Sequence, residues 1–255
     1  MRREAVVGLR AASRRRGVAL HCRLVSALGL LALASTTASA QTGGSLRLVP
    51  TDFESEMRSE FRRLLPSLSS ESIEARAADY VRARDSKAQA ISYRSGATWR
   101  VTGRATEELA GEAALESCQV AHGAPCALMA IGRRLTYDVT RGARPADRDM
   151  PRVGYSGLFD PAMIPGSARS VETRDDVRAY RDAGTPKAVA YHPWGTVSVV
   201  LAAPDLRSAE AQALTTCNAD PVRNGQEGPC FLYASGNQVV LPRRLRGMLS
   251  DAPRP

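Results

Sequence analysis

Residues 87–126 read KAQAISYRSGATWRVTGRATEELAGEAALESCQVAHGAPC, and residues 187–230 read KAVAYHPWGTVSVVLAAPDLRSAEAQALTTCNADPVRNGQEGPC. Both stretches open on Lys-Ala-x-Ala, pass through Ala-Leu-x-x-Cys and close on Pro-Cys before a short apolar run. Tyr80 and Tyr180 precede the two lysines at the same distance. A pattern written twice at this spacing specifies one supersecondary unit built twice. Lys87 to Tyr93 alternates small residues on one side, as a strand does. Arg94-Ser95-Gly96 turns the chain, and Ala97 to Thr102 returns as a second strand. Thr106 is a helix N-cap with Glu107 and Glu108 in the first turn. The helix runs to about Ala121 and carries Ala110, Ala113, Ala114 and Cys118 on one stripe, small enough to lie close on a sheet. Cys126 to Ile131 is a third strand, and Leu135 to Val139 a candidate fourth.

The second copy repeats the plan. Strands are expected at Lys187 to Tyr191 and Thr196 to Leu201, with Pro193-Trp194-Gly195 as the turn. Asp205 caps the helix, which carries Ala209, Ala213, Leu214 and Cys217. Phe231 to Ala234 and Gln238 to Leu241 form a hairpin around Gly236-Asn237. Upstream, Phe53, Met57 and Phe61 predict a helix ending at Pro66, and Ser69 to Arg84 a second one. Phe159 to Pro165 echoes the first, and Val171 to Arg181 the second. The fold class is therefore α+β: two tandem ββαβ(β) modules, each a small antiparallel sheet with a packed helix, with a pseudo-two-fold relation as one arrangement.

The flanks set the boundaries. Residues 1–40 have the three parts of an export signal: a basic stretch with Arg2, Arg3, Arg10, Arg14, Arg15, Arg16 and Arg23, the apolar run Leu24 to Ala34, and Ala38-Ser39-Ala40. A lead-in and first-helix start follow at 41–57. Module 1 is placed at 58–137, an exposed linker at 138–157, module 2 at 158–242 and a C-terminal tail at 243–255. Without the signal, 35 basic and 26 acidic residues become 28 and 25, so the net charge falls from +9 to +3. A nucleic-acid partner loses its support. No second apolar run reaches the ~20 residues a membrane span needs. The mature chain is expected in the periplasm or secreted.

Of five cysteines, Cys22 leaves with the signal. Cys118, Cys126, Cys217 and Cys230 allow three connectivities, and the repeat favours Cys118–Cys126 with Cys217–Cys230. A zinc site is disfavoured, because no C-x-x-C pair exists and only His122 and His192 remain. The 35 basic residues include only two lysines, Lys87 and Lys187, at equivalent repeat positions. An ammonium there could contact an anion or act as a nucleophile. The plainer reading lays each lysine along the preceding helix, paired with a carboxylate such as Asp79 or Asp85. Trp194, at a hairpin turn, is a candidate partner contact or an edge-packing residue. No catalytic residue and no cofactor is nominated. Gly154-Tyr155-Ser156-Gly157 lacks the last glycine of a nucleophile elbow.

The repeated Lys-Ala-x-Ala, the glycine turn, Ala-Leu-x-x-Cys and the closing cysteine strand resemble small exported bacterial domains of unknown function that recur in tandem. The resemblance covers about residues 80–137 and 180–241. It implies that the helix cysteine pairs with the one on the next strand. Some similar chains carry an aminolevulinate synthase label, but neither lysine here has the surroundings of a pyridoxal phosphate site. The resemblance supplies no catalytic residues. The expected function is a non-catalytic envelope or secreted binding module, with an envelope protein or cell-wall polymer as partner. The rivals are an enzyme or small-anion receptor using Lys87, Lys187 or the inter-module cleft, and a thiol oxidoreductase with an exposed cysteine.

Overall fold

The computed structural model describes residues 52–221 and 228–250, with side chains described as far as 246. The expected export signal, most of the expected lead-in, part of the loop before Cys230 and the last five residues of the tail lie outside the described residues. Helix α1 (Asp52–Leu64) buries Phe53, Met57 and Phe61, spaced four apart, and ends ahead of Pro66. Helix α2 (Ser70–Arg82) starts where the Ser69 hydroxyl accepts the Ser72 N–H, and it buries Ile73, Ala77 and Tyr80. The two helices cover one face of an antiparallel sheet of order β2-β1-β3-β4, built from β1 (Ala88–Ser92), β2 (Ala97–Val101), β3 (Cys126–Ile131) and β4 (Arg134–Leu135). Helix α3 (Glu107–His122) lies on the other face, capped by Thr106 and stopped by Gly123 in the left-handed conformation.

The second sheet has the same order, β7-β6-β8-β9, from β6 (Ala188–Tyr191), β7 (Val197–Val200), β8 (Phe231–Ser235) and β9 (Gln238–Val239). Helix α7 (Leu206–Asn218), capped by Asp205, packs on it as α3 packs on the first. The correspondence extends to irregularities. The register slips between Gln89 and Ala90 in one copy and between Val189 and Ala190 in the other. The alanine stripes explain the close packing: Ala110, Ala113 and Ala114 meet Ala88 and Ala90, while Ala209 and Ala213 meet Ala188 and Ala190.

Both bridges are present, Cys118–Cys126 with Cα atoms 6.2 Å apart and Cys217–Cys230 with Cα atoms 6.1 Å apart. Each ties the end of a module helix to the strand that follows it. Alanine-lined cores bury little area per residue, so the bridges matter to stability. Replacing both cysteines of either pair by serine should cost about 2.5–3 kcal/mol, the loop-closure value for separations this short. Reversible urea unfolding would read it as a lower midpoint, and an unchanged midpoint would refute it.

Several expectations need correction. The span 138–157 is largely exposed, as expected of a linker, yet it carries ordered elements. Strand β5 (Asp147–Arg148) adds to β3, Met150 is buried against α3, and α4 (Pro151–Gly154) carries Val153, which packs on both modules' cores. The fourth strand is only Arg134–Leu135, followed by a 3-10 turn at Val139–Arg141. Phe159 is not the helical echo of Phe61. It lies in extended chain, donates its N–H to Asn237 and sets its ring 4.5 Å from that of Tyr180. The helix expected at Val171 to Arg181 is two, α5 (Arg169–Glu172) and α6 (Asp175–Asp182). Helix α8 (Leu241–Ser250) takes up the hairpin's last residue and most of the tail.

The copies are not related by a two-fold. A two-fold would give α3 and α7 equivalent surroundings. Instead Glu116, Ser117, Gln119 and Val120 of α3 are buried, while their counterparts Thr215, Thr216, Asn218 and Ala219 are exposed. Val120 joins the cluster on the face of the second sheet opposite α7, with Tyr191, Phe231 and Tyr233. In module 1 the equivalent face is covered by α1 and α2. The modules therefore stack in one sense, helix side of the first against sheet side of the second.

Candidate functional site

Helix α2 ends at Ala83 in extended conformation, which leaves carbonyls at its C-terminus without intrahelical partners. Lys87 supplies them: its Nζ donates to the carbonyls of Val81 and Ala83, both at 2.9 Å. Lys187 does the same at the end of α6, donating to Tyr180 at 2.5 Å, Ala183 at 2.6 Å and Arg181 at 3.4 Å. Each ammonium also lies over a tyrosine ring, Tyr80 at 5.4 Å and Tyr180 at 4.7 Å. The lysines are 2% and 1% exposed. Burial lowers both pKa values, and Asp85 and Asp182 respectively oppose that shift. Only a compact ammonium on a thin stem reaches these carbonyls, which a planar guanidinium would not fit. Lys87 and Lys187 thus cap helix C-termini, and their hydrogen-bond partners are carbonyls where carboxylates were expected.

The cysteines are buried in their bridges. None of the four offers the exposed thiol that an oxidoreductase needs. The segment at Gly154–Gly157 ends in a loop where the Tyr155 hydroxyl donates to Leu158 O at 2.8 Å.

Trp194 stands differently. The β6–β7 turn is closed by Gly195 N–H on His192 O at 2.8 Å, with Gly195 at φ 104°. His192 is buried, and its Nδ1 accepts the Trp194 N–H at 3.3 Å. Ser117 of α3 donates its hydroxyl to Pro193 O at 3.0 Å, which pins the turn of module 2 onto module 1. The Trp194 ring lies 5.0 Å from Trp99 of β2, and Trp99 meets His122 edge-on at 6.3 Å. Burial lowers the His122 pKa, which favours the neutral imidazole. Trp194 nevertheless remains 42% exposed. It borders a shallow pocket of about 150 Å³ lined by Arg76, Asp79, Gln89, Thr98 and Arg100. This is an aromatic surface on a rigid base beside a shelf of donors and acceptors.

A second constellation joins the modules. Glu116 receives Arg152 Nε and Nη2, each at 2.6 Å, and the Gly166 N–H at 2.7 Å. Arg104 Nη2 donates to Gly166 O at 2.6 Å. Gly166 has φ +67°, and a Cβ there would fall 2.3 Å from Ser117 Oγ, so the crossing requires glycine. Glu116, Arg152 and Arg104 were not singled out in the sequence. The signal for them was a difference between copies: Glu116 and Ser117 against Thr215 and Thr216 on otherwise matching helices.

Among the described residues no helix is long and apolar enough to cross a membrane, and no group of three His, Cys, Asp or Glu side chains could hold a metal ion. Compared with known proteins, the chain matches no family model, no curated protein and no solved structure.

Proposed function

We propose that this chain is a non-catalytic binding module of the periplasm or secreted space, and that it docks on a cell-wall polymer through Trp194. The observation that carries the reading is the half-exposed indole fixed on Trp99 beside the Arg76, Asp79 and Arg100 shelf. An indole whose backbone is already pinned loses little entropy on binding, and its flat apolar face suits the C–H face of a sugar ring. The neighbouring guanidinium, carboxylate and hydroxyl groups suit the sugar's hydroxyls. Two buried disulfides fit an oxidising compartment. The tandem exported domains that the repeat resembles belong to the same reading.

The lysines add nothing to the enzymatic rival, since each Nζ is surrounded by carbonyl acceptors. Co-sedimentation with purified, protein-free cell-wall sacculi tests the proposal. The wild-type protein should pellet, and Trp194→Ala should weaken binding by about thirtyfold, the loss of one hot-spot side chain. Equal sedimentation of both proteins would remove Trp194 from the site. A wild-type protein that stays in the supernatant would remove the polymer.

A further inference from the structure

Between the β2–α3 loop of module 1 and the segment that enters module 2 lies a cleft of about 630 Å³, well within the range of small-molecule sites. Its charged lining is Arg104, Arg152 and Arg169 with Glu112 and Glu172. These charges are not neutralised in the same way. Arg152 is matched by Glu116, through two hydrogen bonds. Among the described residues Arg104 makes no ion pair: Nη2 is held by a carbonyl, and Nε is buried without a partner. Burial lowers its pKa, Arg152 adds to that, and Glu116 only partly offsets it. The floor of the cleft therefore carries one positive charge more than its carboxylate balances. Arg169, Glu112 and Glu172 also make no ion pair among the described residues, although all three line the same space. A cleft that keeps both signs of charge apart and unpaired suits a ligand that brings both.

We infer that the inter-module cleft binds a small zwitterion, an amino acid or short peptide with a free carboxylate and a free ammonium. The carboxylate meets Arg104 and Arg169, and the ammonium meets Glu112 and Glu172. Glu112 and Glu172 select against simple polyanions by like-charge repulsion. Trp194 does not line this cleft, so the inference stands apart from the polymer site.

The test is an NMR titration of the full mature protein with three probes: alanyl-alanine, its N-acetyl form and its C-terminal amide. Alanyl-alanine should shift resonances around Arg104 and Ser167 and bind about tenfold or more tighter than either blocked form, because each blocked form leaves charged groups of the cleft unmatched. Arg169→Gln, at the exposed rim, should weaken alanyl-alanine about tenfold with no change in the fold. Arg104→Gln should abolish binding where it folds. Glu172→Gln should weaken alanyl-alanine while strengthening the N-acetyl form. Trp194→Ala should leave all three affinities unchanged. Equal affinity for alanyl-alanine and its N-acetyl form would reduce the cleft to a plain anion site and overturn the inference. Absence of any shift, or binding indifferent to Arg169→Gln and Glu172→Gln, would overturn it as well.

Discussion

Replacing Arg152 by alanine should lower the free energy of unfolding by about 3–5 kcal/mol, more than replacing its partner. The asymmetry follows from burial. The Glu116 side chain is 2% exposed, whereas that of Arg152 is 25% exposed. Without Arg152, the Glu116 carboxylate stays buried with the Gly166 N–H as its remaining close donor. An uncompensated buried charge is among the most costly defects in a fold. Without Glu116, Arg152 can swing toward water and still use the Ala162 carbonyl at 3.1 Å. Glu116→Leu should therefore cost less, about 1–3 kcal/mol, chiefly for the orphaned Gly166 N–H. The double variant Glu116→Leu/Arg152→Leu should recover part of the Arg152→Ala loss, since apolar replacements for a buried pair are often near neutral. Urea unfolding of the single and double variants measures all three values. An Arg152→Ala cost below about 1 kcal/mol would mean that the pair is solvated and does not hold the modules together.

The repeat made the module legible in advance because its signals are local. N-caps at Thr106 and Asp205, the αL turns at Gly132 and Gly236 and the alanine stripes each depend on a few neighbouring residues. They therefore read the same way in sequence as in space. The relation between modules is not local. It depends on which helix face meets which sheet face, and hydrophobic patterning does not carry that for α3. Ten of its residues are buried, Glu116 and Gln119 among them, so its polar residues do not mark its outside. Polar residues at 116, 117 and 119 look like a solvated stripe until Arg152, Pro193 and Arg148 arrive from the segments between and after.

The same reasoning applies to the residues of 138–157 that pack inward. The span's Arg, Pro, Gly and Asp content has the composition of a surface loop. Its arginine at 152 is held by a carboxylate 36 positions back, and its methionine at 150 fills space beside a disulfide. The lysines are the opposite case. Their count and equivalent placement signalled a shared constraint, and that constraint proved to be two helix ends that need a thin cation. Rarity of a residue type marked a conformational need, and chemistry at the surface had to be sought elsewhere.

Alkaline pH should unfold this protein steeply. Tyr80, Tyr180, Tyr191 and Tyr233 are at most 1% exposed. Burial is the main cause raising the pKa of each, with Glu107 adding to the effect at Tyr80 and Glu116 at Tyr191. A phenol whose folded pKa is raised contributes stability that is complete below the unfolded value near 10. That stability is lost as pH rises above it, because the unfolded chain ionises first. Each such group removes about 1 kcal/mol between pH 10 and 11 and about 1.4 kcal/mol per further pH unit, so the four together remove about 4 kcal/mol over that first unit. Lys87 and Lys187 act in the other direction. Their folded pKa values are lowered, so the penalty they impose at neutral pH is relieved as pH rises toward the unfolded value near 10.5. Two lysine contributions that end there cannot offset four tyrosine contributions that continue to grow. Stability should therefore hold up to about pH 10 and then collapse. Tyrosinate absorbance followed alongside far-ultraviolet circular dichroism decides the point. The four phenols should ionise together with loss of the dichroism signal. Ionisation of all the tyrosines near pH 10 with the dichroism intact would mean that their burial does not oppose charge, and that the two sheets do not pack as described.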